Sequence, residues 1–176
     1  MNLTFAVEPL SQCWNELMEI HFEHWKETEG YRHNQPFNPK FERYEQYNKA
    51  GWFLMFTARD NGKLVGNAGM YITPSMHTQQ IIATEDTWFL LPEYRKGRNA
   101  VDFYKFVEEE CRKRDVVEIC MTTKKTNSAK RILEYLDYEL VSYQYSKHLN
   151  ADSVSRKEIP DIEETSNVFT ESASRS

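Results

Sequence analysis

The chain has 176 residues, enough for one domain with a real core, and its 40% apolar and 14% aromatic content marks it as folded rather than disordered. The net charge of −5 argues against a nucleic-acid partner, and no apolar run approaches the roughly 18 residues of a membrane span. Three cysteines, Cys13, Cys111 and Cys120, form neither an even set nor a CxxC pair, which argues against a disulfide framework or a zinc site.

The opening "MNLTFAVEPL" lacks the basic region and apolar core of a leader, so a reducing cytoplasm is the expected compartment. Within it "LTFAV" reads as a strand. Ser11 is placed to cap a helix whose apolar stripe is Trp14, Leu17, Met18, His21, Phe22 and Trp25. Pro36 and Pro39 interrupt the pattern. In "KFERYEQYNKAG" Phe41, Tyr44 and Tyr47 fall about one helical turn apart, and Gly51 can end the helix. "WFLMFTAR" and "KLVGNAGMYIT" then form a hairpin around Asp60-Asn61-Gly62, whose Asn-Gly pair suits a tight turn. "QQIIATEDTWFLL" follows as a strand, then a helix over 98–114, the strand "VVEICMTT", a helix across "NSAKRILEYL", and a strand pair or hairpin in "YELVSYQYSKHL". Residues 151–176 turn serine-rich and acidic with few apolar anchors, the composition of a mobile tail. It is read either as a bare terminus or as an arm for a partner or for regulation.

The stretch "YRKGRNA", residues 94–100, sits where a strand hands over to a helix. A helix starting there leaves its first N–H groups without intrahelical acceptors, and the macrodipole adds about half a positive charge. Phosphate oxygens are the natural complement, with Gly97 allowing close backbone approach and Arg95, Lys96 and Arg98 adding full charges. Taken alone, the motif also fits a basic loop with a glycine turn.

With its surroundings, "PEYRKGRNA" resembles the pyrophosphate loop of the GNAT superfamily of acyl-CoA-dependent N-acyltransferases. Pro92, Tyr94, Arg95 and Ala100 are in place, Arg98 stands at the family's middle glycine and the glycine is shifted to Gly97, an arrangement similar to phage-encoded members. The resemblance covers roughly residues 3–149, so 1–150 would be an N-acetyltransferase domain and 151–176 an appended tail. It implies a mixed, centrally antiparallel α/β sheet flanked by helices, with the strand ending at Leu91 splayed from "VVEICMTT". Phe89, Leu90 and Leu91 would then hold a pantetheine arm, with Arg95, Lys96, Gly97, Arg98, Asn99 and Ala100 at the pyrophosphate. Asn127 matches the family's asparagine that opens a helix near the cofactor. Asp137-Tyr138 replaces a Gly-Phe pair, and Leu133 stands where many members carry the tyrosine that protonates the departing thiolate, leaving Tyr135 and Tyr138 as the nearest substitutes.

Acyl transfer to an amine needs a proton acceptor. In "ATEDTW" the neighbours Glu85 and Asp86 point to opposite faces if the strand is regular, and Glu85 then shares a face with Thr87, Phe89 and Leu91. Glu85 lies near the place where several family members keep a glutamate base. Glu85 as base, Asp86 as base, and a structural ion pair or hydrogen-bonded strand end all remain open. His21 and His24 lie three apart on one helix face, with no further ligand cluster. His21 reads as half-buried, His24 as marginal to solvent, and His77 as a loop residue that could border the acceptor site. Cys111 and Cys120 read as core.

The resemblance therefore implies transfer of an acyl group, expected to be acetyl, from acetyl-CoA as cosubstrate to a primary amine of a small molecule or protein, by direct attack in a ternary complex. It is compatible with a homodimer and with a host cytoplasm if the gene is phage-borne. The first two helices and the 74–78 loop would recognise the acceptor, where Glu19, Glu23, Glu27 and Glu29 could attract a cation or simply form a solvated face. The rival expectation is a catalytically weak or inactive CoA-binding protein of the same fold acting through protein contacts. A third is an adaptor without cosubstrate.

Overall fold

The computed structural model describes residues 3–32, 36–125, 129–147 and 149. Five strands, β1 (Thr4–Val7), β2 (Phe53–Asp60), β3 (Lys63–Pro74), β4 (Ile81–Leu90) and β5 (Glu118–Cys120), form one sheet in chain order. Neighbours are antiparallel as far as β4, and β5 runs parallel to it. Helices α1 (Leu10–Thr28), α2 (Phe41–Lys49), α3 (Asn99–Arg112) and α4 (Ala129–Tyr135) complete the mixed α/β architecture expected from the sequence.

Each face of the sheet carries its own core. Leu10, Cys13, Leu17 and Ile20 recur at helical spacing along α1 and pack on Phe53, Met55, Leu64 and Phe89. On the other face Phe103, Val107 and Cys111 of α3 meet Phe56, Ala58, Val65 and Met70, and Phe5 stacks on Phe103 at 5.1 Å. Burying one large apolar side chain this way contributes about 1.5–3 kcal/mol, so both helices are held by their stripes. The β2–β3 hairpin turns where expected, Asn61 and Gly62 both taking positive φ (49° and 85°).

Two sequence expectations are corrected. Ser11 does not cap α1: the helix begins at Leu10, behind Pro9, because the fully buried Leu10 must already lie on the core stripe. The strand pair expected in 138–149 is not formed, since residues 139–147 carry no strand and Val141, Tyr143 and Tyr145 are exposed. Their alternation supplies an apolar face, but a strand also needs a paired edge, and β5 offers only three residues. The tail, residues 151–176, lies outside the described residues.

The short β5 creates the feature that matters for function. It pairs with β4 only at Ile82, Ala83 and Thr84. Beyond Thr84 the two strands part, and β4 has no strand neighbour on that side among the described residues.

Candidate active site

At this parting, β4 bulges. Gly69 pairs with Thr87 and Met70 with Glu85, so Asp86 is the extra residue. Opposed residues in an antiparallel pair share a face. Glu85 therefore lies on the face of Met70, in the α3 core, and its carboxylate accepts hydrogen bonds from the Thr122 N–H (3.3 Å) and hydroxyl. Asp86 turns with Thr87 to the α1–α2 face, where the Tyr44 hydroxyl donates to Oδ2 at 3.2 Å. The expected facing is thus reversed: the bulge removes the strict alternation from which Glu85 was placed with Thr87 and Phe89. Gly69 makes the close approach workable, because a Cβ there would stand 2.8 Å from the Phe53 ring and 2.9 Å from Thr87 Oγ1.

A cleft of about 500 Å³ passes through the gap and reaches both faces. Its α1–α2 side is lined by His24, Trp25, Phe37, Tyr44, Asp86 and Phe89. Its other side has Glu85, Trp88, Leu90, Tyr104, Thr122 and Ile132. Burial pushes the Asp86 carboxyl up to about 6, against the Tyr44 hydrogen bond that lowers it, while the neighbouring Glu85 adds to the rise. Glu85 is raised too, chiefly by burial, with the Thr122 bonds opposing. His21 and His24 are both depressed to about 4 by burial and stand neutral at ordinary pH. His21 Nε2 meets Asn67 Nδ2 at 3.0 Å, and the same amide donates to Thr87 Oγ1, tying α1 to the bulge. His21 is buried rather than half-buried. His24 is half-buried at the margin of the stripe, its ring packed on Phe89 at 5.2 Å and lining the cleft.

The backbone beside the gap has no strand partner among the described residues. Leu91 N–H donates to Val65 O at 2.9 Å, so Leu91 faces β3 and the polar groups of Leu90 face the gap. A linear amide chain could add to this edge as a strand would. The Phe89 side chain lies on the α1 face and that of Leu90 on the α3 face, both nearly buried, with Leu91 packed against both cores. A short 3-10 turn, Pro92–Tyr94, then leads to the basic loop. Gly97 takes φ +66° while Arg98 sits at φ −97°, so the shifted glycine carries the left-handed residue and Arg98 needs none. Lys96 and Arg98 are exposed beside the first turn of α3, Arg98 pairing loosely with Asp102 (3.6 Å), and Asn99 Nδ2 donates to Tyr94 O. Ala100 lines the cleft. This loop fits a pyrophosphate: orphan N–H groups, a glycine turn and two exposed cations.

Arg95 behaves differently from the rest of the loop. Its Nε donates to Leu90 O at 2.7 Å, its fork grips Glu27 of α1 at 3.0 and 2.7 Å, and it lies over the Phe89 ring. Asn127 lies outside the described residues. Tyr135 is exposed and Tyr138 packs on Tyr104; neither lines the cleft, and nor does the 74–78 turn with His77. Sequence reasoning missed Tyr104, which is 3% exposed, stacked 3.7 Å above Trp88, and has no hydrogen-bond partner for its hydroxyl among the described residues. Its spacing four residues after Ala100 was the available signal. Among the described residues no group of three or more side chains could hold a metal.

Comparison with known proteins agrees with this geometry. The family model described as acetyltransferase (GNAT) family matches residues 11–134. No curated protein sequence gives a significant match. Among solved structures the chain is similar to a ribosomal-protein-alanine N-acetyltransferase from Brucella melitensis biovar Abortus 2308 (TM-score 0.69, 14% identity, 85% of this chain and 99% of that one). It is also similar to AAC(6′)-Iy in complex with the bisubstrate analogue CoA-S-monomethyl-acetylneamine (0.63, 16%, 84% and 99%). A third is a predicted acetyltransferase with acetyl-CoA from Clostridium acetobutylicum (0.64, 10%, 84% and 97%). At these identities the likeness is one of fold.

Proposed function

The chain belongs to the GNAT acetyltransferase family, and we propose that it transfers an acetyl group from acetyl-CoA to a primary amine by direct attack within a ternary complex. The observation that carries this reading is the cleft that runs through the β4–β5 gap, with a carboxylate facing each side. The α3–α4 side takes the cosubstrate: the N–H of Leu90, whose carbonyl is engaged by Arg95, meets a pantetheine amide, and Lys96, Arg98 and the first turn of α3 meet the pyrophosphate. The α1–α2 side takes the amine.

Asp86 accepts the proton that frees the amine lone pair, a task suited to a carboxyl titrating at about 6. The nitrogen then attacks the thioester carbonyl. The C–N bond forms, the C–S bond breaks, and the sulfur leaves with a proton from the Tyr104 hydroxyl. The second proton shed by the nitrogen passes through solvent to restore that hydroxyl, and the one on Asp86 is released to water, so that ammonium and thioester become amide, thiol and one free proton. Glu85, held by Thr122, fixes the mouth of the gap. Tyr104 in the cleft speaks for catalysis over the rival reading of an inactive CoA-binding protein, which rested on Leu133. Residues 1–150 form the acyltransferase domain and 151–176 an appended tail. The three free cysteines suit a reducing cytoplasm, a host's if the gene is phage-borne. Incubation with acetyl-CoA and a mixed panel of amines, read by mass spectrometry, should show an acetylated amine and stoichiometric free CoA. Thioester hydrolysis with no acetylated amine from any class would reject the reading.

A further inference from the structure

The chemical class of the acceptor can be read from which charges in the cleft are already neutralised. Four acidic side chains line it: Glu27, Glu29, Glu85 and Asp86. Glu27 is held by the fork of Arg95, and Glu29 pairs with Lys124. These two pairs strap the C-terminal turn of α1 to the segments that follow β4 and β5, one on each side of the gap. Glu23, further back on α1, pairs with Lys26. The acids that sequence alone offered as attractors of a polycation are therefore largely committed to cations of this chain. Only Glu85 and Asp86 have neutral partners, Thr122 on the α3 side and Tyr44 on the α1–α2 side, so Asp86 is the acceptor-side carboxylate of the cleft that no cation of this chain neutralises among the described residues. The two imidazoles nearby are neutral, and the cations that line the cleft, Arg95 and Lys124, are matched by Glu27 and Glu29.

The walls beyond Asp86 are aromatic. Trp25 and Phe37 pack with ring centroids 6.1 Å apart and are partly open to the cleft, while Phe89 lies nearly buried against His24 and Arg95. Such surfaces favour an apolar body over a hydrated polyol or a chain of ammonium groups.

We infer that the acceptor is a monoamine with an aromatic or apolar body, its one ammonium at Asp86 on the bulge and its body against Trp25 and Phe37. The inference rests on the amine-acylation reading above. It separates this chain from polycationic acceptors of the kind named for AAC(6′)-Iy's analogue.

The test is calorimetric titration of the full chain, saturated with CoA, by 2-phenylethylamine, spermidine and neamine. The expected result is that 2-phenylethylamine binds about tenfold or more tightly than either polycation, and that the preference survives added salt, which screens charge but not apolar contact. Trp25→Ala and Phe37→Ala should each erase the preference while leaving CoA affinity unchanged. Tighter binding of spermidine or neamine, or no binding of 2-phenylethylamine, overturns the inference. If CoA itself fails to bind, the acyltransfer reading falls. The same titrations on the CoA-free chain still report which amine class the aromatic wall takes.

Discussion

At Asp86 burial and the neighbouring Glu85 oppose ionisation while the Tyr44 hydroxyl favours it, and the balance leaves the carboxyl at about 6 against an ordinary 3.8. A folded-state value above the unfolded one means the protonated form favours folding, and that advantage is lost as pH rises through 6. Above that pH the cost is at most roughly 3 kcal/mol. Asp86→Asn should therefore raise the melting temperature at pH 7.5, with the gain shrinking to nothing near pH 4, while turnover falls by about a hundredfold or more. Wild-type turnover should climb through pH 6 and level off. A stable, fully active Asp86→Asn together with an inactive Glu85→Gln would move the base to Glu85. Tyr104→Phe keeps the stack on Trp88 and removes only the hydroxyl, so kcat should drop by about a hundredfold with CoA affinity and melting temperature preserved. Unchanged kcat would remove Tyr104 from the chemistry.

Among the elements, the β4 bulge decides which carboxylate lies on which face of the sheet. Gly69→Ala would drive a Cβ into the Phe53 ring and Thr87 Oγ1, costing about 1–3 kcal/mol of stability. Because the strain falls on Asp86's own bulge, turnover should fall more than CoA binding; calorimetry beside kinetics checks this, and equal losses would make Gly69 merely structural. The basic loop and the Asn-Gly hairpin were legible in the sequence because each is a local pattern with a local cause. Of the expected α1 stripe, by contrast, only Leu17 and His21 are buried, Phe22 is 43% exposed, and the core line runs through Leu10, Cys13 and Ile20. The bulge was not legible, since it is a property of register between two strands and Glu85-Asp86 read in isolation looks regular. The alternation in 139–147 misled for the converse reason, promising a strand without a partner edge. Tyr104 hid because the α3 stripe through Ala100, Phe103 and Val107 also explains its neighbourhood as core. Arg95 looked like one more phosphate ligand, and only the fold could show Glu27 and Leu90 O engaging it.

Across the whole molecule, two cores on opposite sheet faces hold a cleft that neither helix layer closes, because β5 is too short to seal β4. That arrangement lets two substrates meet from opposite sides of one sheet, and no helix among the described residues is long and apolar enough to cross a membrane. In the proposed function CoA lies in the gap with its phosphates at Lys96, Arg98 and the α3 terminus. Thermal unfolding with rising CoA tests this directly. At about 100 times the dissociation constant, linkage should add roughly 2.7 kcal/mol, several degrees of melting temperature, and Arg98→Ala should need markedly more CoA for the same shift. No shift at millimolar CoA, or an equal response in Arg98→Ala, would contradict the placement.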